Sequence, residues 1–459
     1  MGIGGVFSAI FWGLMLLSLL VFVHEGGHYL AARICGVRVT EFFLGMPSTH
    51  RLSHKSKRWG TEIGVTPIFL GGYTRICGMA GMPDELLDKA FQEVQARGRI
   101  SAYELADALG IDEERALNML ITLTDWAAIQ PFYDPELGEL PGQKDYPARF
   151  ETLQRDKNFL TEYDRAHDFS QEGTTAAGVS RPLTCTSAEA LEREQAHTYL
   201  GCGFWKRFFM LVAGPLVNIV LALALITGGF MVAGQEIIVN SNTVASVTEG
   251  SLAADAGVEA GDTIVRIGSV EVTDWRTLTQ AVQSELSATA TVELDYERDG
   301  QLITTTITIP AEGAQYLGVN AQTTIYRPGL FEAGSWALNY AGMVGSYVVQ
   351  LLVPTHTMEI LNSSTSIVGI SVMASEAASQ GVMSVVEMLA MISMSLGFMN
   401  LLPIPPLDGG KILIEIIQAC IRRPLSLRAQ SIVSYVGIAF FIFVFVVVLR
   451  NDFVRFLMG

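Results

Sequence analysis

The residues with the clearest chemical potential are His24, Glu25 and His28, in the run Val21-Phe22-Val23-His24-Glu25-Gly26-Gly27-His28-Tyr29. On a helix, positions i and i+4 project from one face, so the two imidazoles point the same way. Two neutral imidazoles at that spacing can hold one zinc ion, and Glu25 beside them can take a proton from water. The same five-residue pattern arises by chance in ordinary helices, but its setting here is apolar. Residues 6–20 carry no charge and begin a run long enough to enter a bilayer. A charged side chain in lipid costs roughly 2.5–3.5 kcal/mol on insertion scales, so three ionisable groups at the inner end of such a helix point to function. Gly26 and Gly27 leave bare backbone that another segment can approach closely. A catalytic zinc takes three protein ligands and keeps one position open. The best third candidate is Asp408, in Asn400-Leu401-Leu402-Pro403-Ile404-Pro405-Pro406-Leu407-Asp408-Gly409-Gly410. It is an acid at membrane depth beside two glycines and a Pro-broken helix, although an aspartate there can also serve as a plain helix cap. Cys35, Cys77, Cys185, Cys202 and Cys420 are scattered without a C-x-x-C, so packing is their expected use.

The elements that must position these residues follow from hydropathy and charge. Half of the 459 residues are hydrophobic, with a mean hydropathy of +0.35, which describes an integral membrane protein with soluble modules. A net charge of −16 argues against a nucleic-acid-binding surface. The N-terminus lacks the basic start of a cleavable signal and reads as a first span. That span is followed by Arg33, Arg38, Arg51, Lys55, Lys57 and Arg58, which places this side in the cytoplasm. Trp59 to Ile76 is β-prone, punctuated by glycines including Gly71 and Gly72, and too short to cross as a helix; a re-entrant β-hairpin is expected, closing a region at 1–80.

Residues 81–195 form an acidic insert with about twice as many acidic as basic residues. Its first half has helical periodicity, and Ile100 to Asp112 resembles the helix-turn-helix core of winged-helix domains. The second helix of that pair would start Asp112-Glu113-Glu114 and meet phosphates with like charge. The expected partner is therefore an unidentified cytoplasmic protein and no nucleic acid. The second half, from about Gln143, mixes polar and small residues and reads as partly disordered. The insert as a whole reads as a regulatory module outside the catalytic part. Residues 196–239 hold a second span, entered at Lys206-Arg207 and containing Gly214-Pro215-Leu216-Val217-Asn218. That motif predicts close helix packing, with Asn218 turned inward as helix–helix glue or for substrate handling. Residues 240–322 form an α/β module outside the membrane, where Val247 to Val265 resembles a PDZ domain that takes peptide ends by strand addition. Residues 323–382 connect along the surface, because a crossing at 331–353 would put Asp408 on the face opposite His24. Residues 383–459 hold a third and a fourth span, giving about four transmembrane helices in all.

These motifs together resemble the site-2 protease family of intramembrane zinc metalloproteases, most of all its regulator-of-sigma-E-protease type. The likeness covers about residues 1–80 and 196–459 and rests on His24-Glu25-Gly26-Gly27-His28, Gly214 to Asn218, the PDZ-like module, and Asn400 to Pro403 leading into Leu407-Asp408-Gly409. It implies that His24, His28 and Asp408 bind zinc and that Glu25 is the general base. It implies that Asn400 and the Trp59–Cys77 hairpin, with Gly71 and Gly72, hold an unwound substrate strand, where Asn218 would join them. It further implies regulated proteolysis of single-span membrane proteins, such as anti-sigma factors, within the lipid bilayer of a bacterial cell (inner) membrane. A single PDZ-like module in place of a tandem pair, and the acidic insert, depart from that type. A catalytically silent membrane scaffold or chaperone working through its PDZ domain would need neither Glu25 nor Asp408, and both are present.

Overall fold

The computed structural model describes residues 3–80, 84–141, 143, 145–286, 291–309, 316–423, 425 and 427–458. The expected start of the insert, Gly81-Met82-Pro83, lies outside them. The chain divides into one unit of residues 1–227 and 334–459 and a second of residues 228–333.

In the first unit, α1 (Ile3–Cys35) is one unbroken helix. It ends at Gly36, whose φ of +86° suits a residue without Cβ and lets Val37 N–H return to the Ala32 carbonyl. The chain then builds β1 (Val39–Leu44), β2 (Leu52–Lys55), β3 (Glu62–Val65) and β4 (Gly72–Ile76). These form one sheet in the order β2-β3-β1-β4, with β1 parallel to β3 and antiparallel to β4. The expected hairpin is therefore corrected: β3 and β4 do not pair with each other, because β1 lies between them. Val39-Thr40-Glu41-Phe42-Phe43-Leu44, β-branched and aromatic, has the composition of a central strand. The Phe42 ring stacks on Phe22 and Tyr29 of α1, with centroids 4.5 and 5.1 Å apart, and this seats the sheet on the helix.

The insert follows as α2 (Leu87–Arg97), β5 (Arg99–Ser101), α3 (Ala102–Leu109), α4 (Glu113–Asp125), β6 (Ile129–Phe132), β7 (Arg149–Thr152) and α5 (Ser187–Gln195). Ser101 and Glu104 form a capping box on α3, Gly110 closes it at φ +66°, and Asp112 caps α4, so α3 and α4 are a helix-turn-helix. Phe91, Leu105, Leu120, Trp126 and Phe150 fill a core of its own. The second half is packed rather than disordered, which corrects the compositional reading. Arg155, Asp156, Thr161, Asp164 and Glu194 are all buried there, held by ion pairs and hydrogen bonds instead of a periodic apolar face.

Helix α6 (Phe204–Val232) returns through the apolar part. The second unit is made of β8 (Gln235–Ile238), β9 (Val244–Val247), α7 (Leu252–Asp255), β10 (Thr263–Ile267), β11 (Val270–Glu271), α8 (Trp275–Glu285), β12 (Thr291–Arg298), β13 (Gln301–Thr308), β14 (Val319–Ala321) and β15 (Thr323–Tyr326). Its main sheet runs β11-β10-β12-β13, with β9 paired to β14 and β8 to β15. Val244, Ile264, Leu278, Leu294 and Ile307 close its core around α8.

The chain finishes with α9 (Leu330–Gln350), α10 (Pro354–Ser363), α11 (Ile367–Gln380), α12 (Val382–Asn400), α13 (Asp408–Ile421) and α14 (Leu427–Met458). Among the described residues, four helices are long and apolar enough to cross a membrane: Gly4–Cys35, Phe204–Val232, Val382–Asn400 and Ser431–Asp452. Helix α9 is not one of them, and Ala341 and Val344 lay it on Ala222 of α6 and Met394 of α12. Helix α11 lies along the first half of α1, where Leu16 packs with Ala374 and Ala377 and the Ser375 hydroxyl meets that of Ser8 at 2.7 Å.

Candidate metal centre

The sequence separates His24 and His28 from Asp408 by 384 and 380 positions, and the fold closes that distance. His24 Nε2 lies 3.0 Å from Asp408 Oδ2, His28 Nε2 lies 3.1 Å from the same oxygen, and the two Nε2 atoms are 3.2 Å apart. All three side chains are buried, at 6%, 7% and 8% exposure. They are the only such His, Cys, Asp and Glu cluster among the described residues.

Local sequence explains each approach. Gly27 of α1 faces α6 so closely that a Cβ there would come within 2.5 Å of the Ala213 carbonyl oxygen. A Cβ on Gly214 would fall on the His28 imidazole. The two glycines therefore let α6 pass over the metal-facing side of α1, as the Gly-Pro motif predicted. Pro215 lacks an N–H and loosens the preceding turn, where the Met210 carbonyl accepts a 2.7 Å hydrogen bond from His28 Nδ1. That bond fixes the tautomer: the proton is on Nδ1, and Nε2 presents a bare lone pair toward Asp408 and His24. Asp408 arrives from the other end of the chain. Helix α12 stops at Asn400, the turn through Leu401–Leu407 reverses the chain, and Asp408 opens α13. Gly409 and Gly410 press on the Leu401, Leu402 and Ile404 backbone, where a Cβ would clash. The Asp408 side chain does not cap its own helix, so the capping reading is not what its geometry shows.

Two imidazole lone pairs and a carboxylate oxygen converging in a buried space suit a divalent cation. Tetrahedral bonds of about 2.0–2.1 Å would place the ligand atoms about 3.3 Å apart. The observed 3.0–3.2 Å separations match that edge length. The residues present therefore fit zinc by donor set and spacing.

The other sequence candidates fall in different places. Glu25 is half-buried, next along α1, and its carbonyl accepts from the Thr74 hydroxyl of β4 at 3.0 Å. Gly71 and Gly72 begin β4 beside an earlier turn of α1: Gly71 N–H reaches Ser18 Oγ at 3.4 Å, and a Cβ on Gly72 would lie 3.5 Å from Phe22 Cα. Asn218 is wholly buried on α6, one turn beyond Gly214 on the same face, with no hydrogen-bond partner for its amide among the described residues. Asn400 is half-buried at the end of α12. No hydrogen bond among the described residues joins either asparagine or either glycine to His24, His28 or Asp408. Cys35 and Cys77 stand apart from the cluster, as their packing role predicted. Sequence reasoning missed the Met210 carbonyl and Thr74. A backbone acceptor leaves no side-chain signal, and Thr74 gains meaning only from its register beside α1.

Comparison with known proteins agrees with this geometry. The model of peptidase family M50 matches residues 12–444. A Lactococcus lactis protein named "putative zinc metalloprotease" is 25% identical over 454 residues, covering 96% of this chain and 97% of that protein. Proteins of the same name from Staphylococcus aureus and Streptococcus pneumoniae are each 26% identical, over 459 and 460 residues, with 96% of this chain and 97% of theirs covered.

Proposed function

Since the chain belongs to peptidase family M50 and is a zinc metalloprotease of the membrane, we propose that it cuts peptide bonds within transmembrane segments of single-span membrane proteins. The observation that carries the proposal is the meeting of His24, His28 and Asp408 between helices long and apolar enough to span a bilayer. These three residues would hold the zinc, which when bound supplies Lewis-acid stabilisation to the oxygen charge that develops as an amide is attacked.

The remaining steps belong to the chain. Glu25, adjacent to His24 and free of the metal-ligand set, takes the proton of the attacking water and returns it to the leaving amine. His28 is oriented by Met210, and the buried setting keeps bulk water from the charges. A helical substrate hides its scissile bond and must be unwound. Strand β4 is the outer strand of its sheet and lies against α1 from Phe22 to Glu25, on either side of His24. An extended substrate segment pairing along β4 would be led toward the metal, with Gly71 and Gly72 giving it room and Asn218 and Asn400 offering amides to its backbone. Regulated proteolysis of anti-sigma factors, with the second unit acting as a PDZ domain that recognises trimmed peptide ends, is the fuller form of this reading. The element order α2–β5–α3–α4–β6–β7 resembles that of a winged helix, and the acidic start of α4 at Asp112-Glu113-Glu114 supports a protein-contact role for the insert.

The test is cleavage of a synthetic transmembrane peptide by purified protein in detergent, before and after a zinc chelator. Cleavage that stops with chelation and returns with added zinc supports the proposal. A zinc-loaded, folded protein that leaves every transmembrane peptide intact while cutting soluble unfolded chains would refute it.

A further inference from the structure

At the end of α1, away from the metal centre, four cations gather without a direct ion-pair partner among the described residues, although Asp164 shares the smaller of their cavities. Arg33, Arg165 and Arg58 each place a guanidinium over the Trp59 ring, 4.5, 4.9 and 5.3 Å from its centre. Lys57, Arg58, Trp59, Arg165 and His167 line a cavity of about 500 Å³. A smaller one of about 170 Å³ shares Arg165 and reaches Arg33. Among the described residues, no carboxylate forms an ion pair with Arg33, Lys57, Arg58 or Arg165. The nearby acids are committed elsewhere, Asp164 to Arg38 and His197, and Glu162 to Lys55.

Arg33 makes the deficit acute. It is 5% exposed, and its Nε and Nη2 have no hydrogen-bond partner; only Nη1 donates, to the Tyr163 carbonyl at 2.9 Å and the Val37 carbonyl at 3.4 Å. A buried guanidinium without a carboxylate is stable only beside another anion. In a chain of net charge −16, four unneutralised cations around one indole are a built feature, not the average surface. Ala166 is held at φ +64°, a conformation rare outside glycine, between the two rim residues Arg165 and His167. His167 donates Nδ1–H to the Asp164 carbonyl at 2.8 Å, which fixes its ring at the rim.

We propose that this cluster binds a phosphate group, and that its source is the headgroup of an anionic phospholipid. Guanidinium forks and an ammonium suit phosphate oxygens. The lipid source follows from position: Leu30 and Ile34, on the same last turns of α1 as Arg33, are 58% and 68% exposed and apolar. The cluster thus stands where a bare apolar helix surface gives way to charge, at headgroup depth, and Trp59 is a residue type favoured there. Because Arg33 belongs to α1 and Arg165 to the insert, one bound headgroup ties the insert to the helix that carries His24 and His28.

The experiment uses full-length protein in detergent, incubated with phosphatidylcholine vesicles with or without phosphatidylglycerol, and counts retained lipids by native mass spectrometry. The double variant Arg58→Gln/Arg165→Gln spares buried Arg33. Arg423→Gln/Arg276→Gln removes two exposed cations elsewhere and controls for overall charge. Wild type and control should retain phosphatidylglycerol in preference to phosphatidylcholine, and the site variant should lose about tenfold or more of that retention. Millimolar inorganic phosphate or glycerol phosphate should not displace the lipid. If those soluble ions bind wild type but not the site variant, and no lipid is retained, the phosphate site stands and the lipid source is wrong. Equal phosphatidylglycerol and phosphate binding by all three folded, zinc-loaded proteins overturns the proposal, as does equal loss in the control. Neither readout involves proteolysis, so failure here leaves the proposed enzymatic function untouched.

Discussion

Glu25 shares a helix turn with two metal-facing histidines yet does different work. His24 and His28 converge on Asp408, whereas Glu25 lies to one side with its carbonyl pinned by Thr74. Glutamine at this position keeps the shape and the helix but cannot accept a proton. Glu25→Gln should therefore retain bound zinc by elemental analysis while peptide cleavage falls by about 10²–10⁴-fold. Undiminished turnover in the purified variant would remove Glu25 from the mechanism. This part of the site was legible because the i, i+4 relation is local. Asp408 was legible only as an acid out of place, and its partnership with the histidines depends on contacts 380 residues long. The Met210 carbonyl was not legible at all, since any residue supplies a carbonyl and only the Pro215 helix turns this one to His28.

Between elements, bare backbone and buried charge do the positioning. Adding a methyl at Gly214 would drive α6 from α1 or turn His28 away from Asp408. Gly214→Ala should weaken zinc binding by roughly 10–100-fold, the usual loss when a ligand's support is disturbed. Gly342→Ala in α9, where a Cβ meets open space, should leave it unchanged. A competitive zinc chelator titration separates the two outcomes. The sheet and the insert are joined differently. Arg38, just before β1, is 2% exposed and reaches Asp164 with two bonds of 2.7 Å, Glu194 at 2.6 Å and the Ala127 carbonyl past the end of α4 at 3.1 Å. Burial alone would push the Asp164 carboxyl up, but Arg38 and His197 outweigh it and hold it well below the usual range. Glu194 is likewise held down, by Arg155 and Arg38 against its burial. Carboxyls lowered in the folded state contribute stability above their unfolded pKa of about 4, and that contribution fades as the pH falls below it. Hydrogen exchange in residues 145–195 should accordingly rise below about pH 4 and stay low at neutral pH. Arg38→Met should raise it at neutral pH, by removing the cation that two buried acids share, at a cost of about 3–5 kcal/mol. Protection unchanged in that variant would mean that apolar packing alone seats the insert. The helices in the first half of the insert were readable from periodicity, and the spans from hydropathy. The packed second half was not, because ion pairs spaced across 126 residues of sequence leave no periodic trace. The central strand β1 escaped for a related reason: a six-residue strand shows its place only through partners on both sides.

At the scale of the whole chain, the metal centre constrains how the spans are threaded. His24 lies toward the Cys35 end of α1, and Asp408 follows the Asn400 end of α12, so these two helix ends must share a side. Arg33 stands in the last turn of α1 and Arg38, Lys55, Lys57 and Arg58 follow it, Lys206 and Arg207 open α6, and Arg422, Arg423 and Arg428 precede the last span. The positive-inside rule makes that shared side cytoplasmic. The insert, between the first and second spans, is then expected inside, and residues 240–322, between the second and third, outside; Asp408 returns to the His24 side if α9, α10 and α11 make no net crossing. The shortness of α10 and α11, at 10 and 14 residues, and the absence of α9 from the spanning helices favour that parity. Two exposed positions test it, Ser269 in the second unit and Ala177 in the insert. Each is changed to cysteine in a variant whose Cys35, Cys77, Cys185, Cys202 and Cys420 are replaced. In intact cells, a membrane-impermeant maleimide should label the first and not the second, and both should label once the membrane is opened. Labelling of Ala177→Cys alone would invert every span. Labelling of neither in intact cells would mean that α6, the one candidate span between the two positions, does not cross, and would overturn the threading.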